Sequence, residues 1–310
     1  MDVLTDVLQT LRARGACSGR IEAASPWGIE LAAADAARFH IILEGRLWLR
    51  CDGAEPIELR RGDLVALPHG DSHVLFDSEG SPRRPLSEIV AEKKDKGVIS
   101  VGADGARATF WSGRIEFEDW RGNPLLSVLP RVILLRGELA RSVEWLEPTL
   151  AILSCESRSD RPGAQTVVSR LADVIFIQIV RGHLATLGRD GTGWLAALGD
   201  PQVGGALALV HQNPERDWTV QELAQRVAMS RSAFAARFTR MVGEPPLHYV
   251  TRWRMQKAAA LLREGQASIA QIAEAVGYES EAAFSKAFKR ALGASPGAYR
   301  RAARPMLDAA

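Results

Sequence analysis

The most informative stretch of the chain is Ile269-Ala-Gln-Ile-Ala-Glu-Ala-Val-Gly-Tyr-Glu-Ser-Glu-Ala-Ala-Phe-Ser-Lys-Ala-Phe-Lys-Arg290. Its apolar residues recur at helical spacing on both sides of a single glycine, which predicts a short helix, a tight turn and a second helix. Phe284 and Phe288 lie four positions apart, so both face one core. Ser268 and Gln271 have the spacing of a capping box, in which the hydroxyl caps the third amide and the Gln side chain reaches back.

A second copy of this pattern lies about fifty residues earlier in the chain. Leu223-Ala-Gln-Arg-Val227 matches Ile272-Ala-Glu-Ala-Val276 at an offset of 49. An offset of 50 aligns Phe234, Phe238, Gly243 and Tyr249 with Phe284, Phe288, Gly293 and Tyr299. Thr219 and Glu222 give the first copy a capping box as well. The sequence therefore predicts two helix-turn-helix motifs, at about 219–242 and about 268–292, each presenting its second helix to a DNA major groove.

The segment between the two motifs predicts a rigid spacer. Pro246 to Arg263 is about 18 helical residues, so roughly 27 Å long. One turn of DNA is roughly 34 Å. A spacer of that order can place two recognition helices in successive major grooves on one face of the duplex.

Residues 205–303 resemble the two-motif DNA-binding domain of the AraC/XylS family of transcription regulators. The opening stretch carries the resemblance, together with Gly293-Ala-Ser-Pro-Gly-Ala-Tyr-Arg300 that follows it. The chain departs from the family at Ala228, where the first turn often has glycine. The resemblance implies a sequence-specific regulator rather than an enzyme, with double-stranded DNA and RNA polymerase as partners and activation as the commoner mode. DNA binding is expected to need no cofactor.

The resemblance also assigns DNA-contacting positions. It places eight residues facing the bases: Arg231, Ser232, Ala235, Ala236, Glu281, Ala282, Ser285 and Lys286. Alanine can only touch a thymine methyl, whereas Glu281 can accept from cytosine and Lys286 can reach guanine or a phosphate. Five further residues suit the DNA backbone and are expected to contact phosphates: Arg237, Arg240, Ser280, Lys289 and Arg290.

The composition agrees with a globular protein that carries a mildly basic C-terminal third. The chain has 310 residues, of which 46% are hydrophobic and 25% charged, which excludes disordered, collagen-like and coiled-coil proteins. From residue 201 onward there are 15 Lys and Arg against 9 Asp and Glu, whereas the preceding residues carry a net charge of −4. Charge asymmetry of this kind is a weak indication of nucleic-acid binding.

The cysteines and the N-terminus predict a cytoplasmic protein without membrane association. Cys17, Cys51 and Cys155 are odd in number and far apart, which argues against a disulfide framework. Met1 to Leu11 has no basic start followed by a long apolar core, so a signal peptide is not expected. Cys155 lies among arginines that favour a thiolate, which makes it a candidate redox residue against the alternative of an inert thiol. Cys51 ends an apolar strand and is expected in the core.

The first half of the chain predicts short strands. Apolar runs at 39–43, 47–51 and 64–67 are separated by glycine-containing turns, and 110–117 is a further candidate. This spacing is typical of a sandwich or barrel. The whole chain is therefore expected to be α+β, with a β-barrel and following helices before an all-α domain.

Gly62 to His73 indicates which barrel is expected. Glycine, five residues, Pro-x-Gly, two residues and His is similar to the second signature of cupins, which use that His as a metal ligand. Arg38 stands where the glutamate of the first cupin signature belongs, so the full metal set is missing. Three alternatives stay open: a packed structural His73, a sensor metal site drawn from His73, His69, His40 or Cys51, and a cupin-type enzyme. The first two suit a domain that senses a small-molecule effector.

Two helices are predicted between the barrel and the C-terminal domain, at 146–154 and 164–187. The second has an apolar face that fits either an internal core helix or a homodimer contact. The predicted domains are a cupin-like sensor at 1–187, a glycine-rich linker at 188–200 and a DNA-binding domain at 201–303.

Overall fold

The computed structural model describes residues 2–11, 13–92, 98–117, 125–137, 146–159, 161–187 and 193–303. It divides into two compact units. The barrel unit comprises Ala13–Thr186, and the helical unit comprises Met1–Arg12 together with Leu187–Ala310. The sequence assigned the first twelve residues to the sensor, whereas the structure groups them with the C-terminal residues.

The barrel unit is built from two facing β-sheets. Its strands are β1 (Ala13–Ala24), β2 (Gly28–Leu31), β3 (Ala37–Glu44), β4 (Arg46–Cys51), β5 (Ile57–Arg60), β6 (Leu64–Leu67), β7 (His73–Phe76), β8 (Arg84–Pro85), β9 (Val98–Gly102), β10 (Arg107–Phe117) and β11 (Ile133–Leu135). One sheet has the order β11-β6-β3-β10-β1-β9 and the other β5-β4-β7-β2-β8. In β4, alternate residues point into the shared apolar core, where Leu47, Leu49 and Cys51 are buried.

The four predicted strands are confirmed, and residues 78–105 add a helix and strands that the sequence pattern did not indicate. α2 (Leu86–Ala91) lies there, and β9 pairs in parallel with β1. Ile99 of β9 is buried in the core. Glycine and charged residues flank β9, which is stabilised by its pairing with β1 and by the burial of Ile99.

The two predicted helices of this unit are confirmed as α3 (Leu146–Glu156) and α4 (Ala164–Thr186). α4 packs on β1, where the Gly15 amide donates to Asp173 Oδ1 at 2.6 Å. Val168, Ile175 and Ile179 of the apolar face are buried, so the structure supports the core interpretation for that face. Val167 and Val174 are 39% exposed, and the homodimer stays a prediction.

The helical unit contains α1 (Val3–Leu11), α5 (Trp194–Leu198), α6 (Val203–Gln212), α7 (Val220–Arg226), α8 (Arg231–Val242), α9 (Pro246–Glu264), α10 (Ile269–Ala275), α11 (Glu281–Leu292) and α12 (Pro296–Ala303). The predicted linker at 188–200 is wrong from residue 193 onward, and 188–192 lie outside the described residues. Trp194 and Leu195 of α5 are buried, and this burial outweighs the glycines that suggested a linker. Among the described residues no helix is both long and apolar enough to cross a bilayer.

A buried polar network fastens α1 to α6 and α9. Asp6 accepts hydrogen bonds from His211 Nδ1 at 2.8 Å and from Lys257 Nζ at 3.0 Å. Tyr249 OH accepts from Trp194 Nε1 and donates to His211 Nε2, so His211 is a neutral imidazole. Burial raises the pKa of Asp6, but the hydrogen bonds from His211 and Lys257 outweigh it and leave that pKa lowered. Burial lowers the pKa of His211.

Candidate DNA-binding surface and barrel interior

The first helix-turn-helix motif consists of α7 and α8. Thr219 Oγ1 accepts from the Glu222 amide at 3.1 Å, which caps α7. The Glu222 carboxylate accepts from Arg216 at 2.5 Å, and the described contacts do not show it returning to Thr219. The predicted capping box at Thr219–Glu222 is therefore only half formed, because Arg216 competes for the carboxylate. Ala228 forms the turn with a φ of 55°, a left-handed conformation that strains a residue with a Cβ.

The second motif consists of α10 and α11 and follows the predicted pattern more closely. Ser268 Oγ accepts from the Gln271 amide at 3.1 Å, and Gln271 Oε1 accepts from the Ser268 amide at 2.8 Å. This capping box is complete, as predicted. Gly277 takes the left-handed conformation of the turn without a Cβ, at a φ of 77°.

Buried phenylalanines fix the direction in which each recognition helix faces. Phe234 and Phe238 of α8 are buried with ring centroids 5.5 Å apart, and Phe284 and Phe288 of α11 repeat this at the same separation. The opposite faces are left to solvent. All eight residues predicted to face the bases are exposed or half-exposed there: Arg231, Ser232, Ala235, Ala236, Glu281, Ala282, Ser285 and Lys286.

The five predicted phosphate contacts divide into three kinds. Arg240, Lys289 and Arg290 are exposed near the ends of the recognition helices. Ser280 caps α11, since its Oγ accepts from the Ala283 amide at 3.2 Å, but its hydroxyl hydrogen can still be donated to a phosphate. Arg237 differs from both, because its guanidinium binds the carboxylate of Asp200.

The Arg237–Asp200 pair gives the Arg237 guanidinium a partner within the protein, and its contact with a DNA phosphate stays a prediction. The side chain of Asp200 is only 8% exposed and also accepts from the amides of Gln202 and Val203 at 3.0 and 2.8 Å, which places it at the start of α6. Burial raises its pKa, but the hydrogen bonds from Val203 and Arg237 outweigh that effect and lower it. The sequence could not show this pair, since Asp200 stood in the predicted linker.

Two histidines from opposite sheets meet inside the barrel. His40 Nε2 of β3 lies 2.9 Å from His73 Nε2 of β7, and both side chains are almost fully buried. His73 Nδ1 donates to the carbonyl of Asp71 at 2.9 Å, so its Nε2 accepts the proton of His40 Nε2. Burial lowers the pKa of His73 to about 4, and burial, with His73 and Arg38 nearby, lowers the pKa of His40 well below its usual value. Both imidazoles are therefore neutral at physiological pH.

These residues do not fit a resident metal ion. Cys51 lies directly across from His73 in the β4–β7 register, but burial raises the pKa of its thiol and disfavours the thiolate that metals bind. His69 Nε2 instead donates to the carbonyl of Leu129 at 2.9 Å. Nowhere in the described parts of the chain do three His, Cys, Asp or Glu side chains gather to hold a metal. Of the four sensor candidates, the structure thus joins His40 and His73, with Cys51 beside His73.

The candidate redox residue lies elsewhere in the barrel unit. Cys155 is an exposed free thiol on α3. The side chain of Cys17 lies outside the described residues. No described cysteine is therefore paired with another.

Comparison with known proteins identifies the family. A family model described as a cupin matches residues 2–185, and one described as a helix-turn-helix domain matches residues 223–302. A putative AraC-like transcription regulator of Streptomyces lividans is 37% identical over 97% of this chain and 98% of its own length. The chain belongs to the AraC-like transcription regulators.

Two further matches cover different lengths of the chain. The transcriptional regulator AlkR of Acinetobacter baylyi is 33% identical over 97% of this chain and 99% of its own. The crystal structure of the DNA-binding domain of AdpA in complex with a target DNA is 34% identical, with a TM-score of 0.33, over 34% of this chain and 96% of that domain. The predicted cupin-type N-terminal domain and AraC-type C-terminal domain are confirmed, as is a DNA-binding transcription regulator of α+β fold.

Several residues that hold an AraC-like domain together here gave no signal in the sequence. Asp6 and His211 are separated by 205 positions, and Arg237 and Asp200 by 37. Arg254 of α9 is a third case, since its guanidinium binds carbonyls about forty positions away. Each is an ordinary polar residue within a helix or loop, and only the folded chain reveals its partner.

Proposed function

We propose that the chain regulates transcription by placing α8 and α11 in two major grooves of one DNA duplex. The observation that carries the proposal is the repeated pair of motifs, in which buried phenylalanines turn matching faces of α8 and α11 outward. α9 has 19 residues, so it spans roughly 28 Å and is of the order of one DNA turn.

Sequence readout is assigned to the exposed residues of both helices. In α11, Glu281 accepts from cytosine and Lys286 donates to guanine, while in α8 Arg231 and Ser232 supply hydrogen bonds. Ala235, Ala236 and Ala282 can contact only thymine methyl groups, and Ser285 can bond to any base edge. Arg240, Lys289, Arg290 and Ser280 hold the backbone phosphates and set the register.

The barrel unit is proposed to sense a small-molecule effector. Its cupin-type fold in an AraC-like regulator supports this role. An effector acts by binding one arrangement of the protein better than another, which shifts the population that binds DNA or engages RNA polymerase. We place this regulator in the cytoplasm, acting as an activator and as a homodimer, without a membrane partner and without turnover of its effector.

A second candidate is a metal- or oxidant-responsive regulator. The His40–His73 pair and the exposed Cys155 favour it, whereas the incomplete donor set and the raised pKa of Cys51 weigh against a metal. Metal content of untagged protein, measured beside His73→Ala, tests the metal version. One metal per chain, lost in the variant, would establish it, and turnover of a small molecule would instead revive the enzyme alternative.

The test of the main proposal is selection of DNA duplexes from a random library by the full-length chain. Affinities for the selected duplex and for a scrambled one are then measured at several salt concentrations. We expect a preference of roughly a thousandfold or more at physiological salt. The combined variant Glu281→Ala with Lys286→Ala should lose most of it, while Arg46→Ala, an exposed arginine of the barrel unit, should keep it. Equal affinity of the unchanged protein for both duplexes would contradict the proposal.

A further inference from the structure

Arg254 of α9 binds the loop that leads into the first motif. Its Nε donates to the carbonyl of Pro214 at 2.6 Å and its Nη2 to that of Arg216 at 2.8 Å, with Glu215 O at a longer 3.4 Å. A planar guanidinium suits several acceptors at once, because its N–H groups form a rigid fork. The loop at 214–216 is thereby attached to the helix that joins the two motifs.

The turn of the second motif packs against the same loop. A Cβ added at Gly277 would overlap the carbonyl oxygen of Glu215 and lie 2.8 Å from Arg254 Nη2. Tyr278, the next residue, has its ring 5.9 Å from the Arg254 guanidinium carbon and packs edge-on against Phe284 of α11. Arg254 therefore touches both the loop before the first motif and the turn of the second.

The loop also connects directly to the first helix of the first motif. The Trp218 amide donates to Arg216 O at 2.8 Å, and the Arg216 guanidinium binds Glu222 in the first turn of α7. A continuous set of contacts thus runs from Phe284 of the second recognition helix through Tyr278 and Arg254 to α7. α7 packs on α8, the first recognition helix.

We propose that Arg254 is a positioning residue that fixes the separation and rotation of the two recognition helices. The DNA segments bound by α8 and by α11 of one chain are its two half-sites, and Arg254 thereby selects the number of base pairs between them. The inference rests on the proposed function, since it presupposes that α8 and α11 occupy two grooves. The Arg254 side chain holds three carbonyls within the protein, which distinguishes it from the exposed arginines assigned to phosphates.

The consequence for DNA follows from helical geometry. One extra base pair moves the second half-site by about 3.4 Å and turns it by about 34°, since a turn contains about 10.5 base pairs. A rigid pair of recognition helices cannot follow that rotation, whereas a loosened pair can. Loss of Arg254 should therefore relax the dependence on spacing more than it weakens contact with either half-site.

The experiment compares full-length proteins on a panel of duplexes derived from the selected DNA. The panel contains the selected site, the same site with one base pair inserted or removed between half-sites, and sites with one half scrambled. Arg254→Lys keeps the charge but loses the fork, and Arg254→Ala removes both. Arg252→Lys is the matched control, because Arg252 lies on the same helix but binds Glu244 instead of the loop. Circular dichroism confirms that each variant is folded.

We expect the unchanged protein and Arg252→Lys to prefer the selected spacing by at least tenfold over one inserted base pair. In Arg254→Lys this ratio should fall to threefold or less, while affinity for the single half-site stays within twofold and the salt dependence is unchanged. An unchanged ratio in Arg254→Lys, or an equal loss on single and paired half-sites, would overturn the assignment. Selective binding without any spacing preference in the unchanged protein would overturn it too, whereas absence of selective binding would instead refute the proposed function.

Discussion

The two helix-turn-helix motifs share a core but differ in how their turns and surfaces are built. The second has Gly277 in its turn and a complete capping box at Ser268 and Gln271, whereas the first has Ala228 at a φ of 55° and half a capping box. Both bury two phenylalanines in the same geometry. The apolar pattern therefore suffices for the fold, while turn and cap chemistry can vary at a cost in local stability.

The equivalent surface positions differ in a way that affects DNA recognition. At an offset of 50, Ala236 corresponds to Lys286 and Arg237 to Ala287. The first motif commits Arg237 to Asp200, while the second exposes Lys286 together with its neighbours on α11. We infer that α11 contributes more charged hydrogen bonds to bases and phosphates, and that α8 relies more on close approach.

The largest effect is expected at the turn of the second motif. Gly277→Ala places a Cβ against the Glu215 carbonyl at a residue in the left-handed conformation. Strain and overpacking together should lower the free energy of unfolding by roughly 3 kcal/mol or more. Gly293→Ala is the control, since its φ is 78° but nothing lies within 4 Å, and strain alone costs it roughly 1–2 kcal/mol. Urea unfolding measures the stability of both variants. Equal losses of stability would show that the loop at 214–216 moves aside for the added Cβ without a measurable cost.

Base readout by the second motif is tested at Lys286. Lys286→Ala should cost about 1–3 kcal/mol of binding free energy and relax the preference at one base-pair position. Lys289→Ala, one turn away on the same helix, should weaken binding to all DNA sequences equally, because a phosphate contact carries no sequence information. Binding to duplexes substituted singly at each position separates the two. A uniform loss in both variants would mean that Lys286 contacts only the backbone.

Replacing Arg237 and Arg240 of the first recognition helix should have different effects, one on stability and the other on DNA affinity. Arg240→Ala should reduce the slope of log affinity against log salt by about 0.9 and cost about 1 kcal/mol or less at physiological salt. Arg237→Ala should leave that slope unchanged but lower the free energy of unfolding, because it strands the buried carboxylate of Asp200. Salt titrations and urea unfolding of both variants supply the measurements. A reduced slope of log affinity against log salt in Arg237→Ala would show that Arg237 contacts a DNA phosphate.

These contrasts show which features the sequence could predict. Caps, turns and the phenylalanine pairs depend on residues within four positions of each other, so helical periodicity reveals them. The strands at 39–43 and 47–51 were equally visible, because glycine turns bound their apolar runs. The base-facing residues were assigned by the family resemblance; the structure leaves all eight exposed or half-exposed, and their contact with bases stays a prediction.

The features that the sequence could not predict depend on distant partners. The sequence of α1 does not indicate which part of the chain this helix packs against. Only the folded structure shows that Asp6 bonds to His211. The pairing of His40 with His73 depends on the packing of two sheets, which the sequence does not show. Arg254 and the loop at 214–216 are about forty positions apart, so no helical or strand periodicity in the sequence relates them. In each case a polar group bonds to a partner that no spacing rule connects to it.

The smallest expected effect is at the turn of the first motif. Ala228→Gly removes the left-handed strain of the alanine but gives the unfolded chain more freedom, so the net gain should be about 0.5–1 kcal/mol. Ala233→Gly, at an exposed position inside α8, is the control and should lose about 0.5–1 kcal/mol. Urea midpoints should therefore move in opposite directions at an unchanged slope. A gain at Ala228 without any change in DNA affinity would mean that the first motif tolerates its strained turn because the packing around α7 and α8 already fixes its shape.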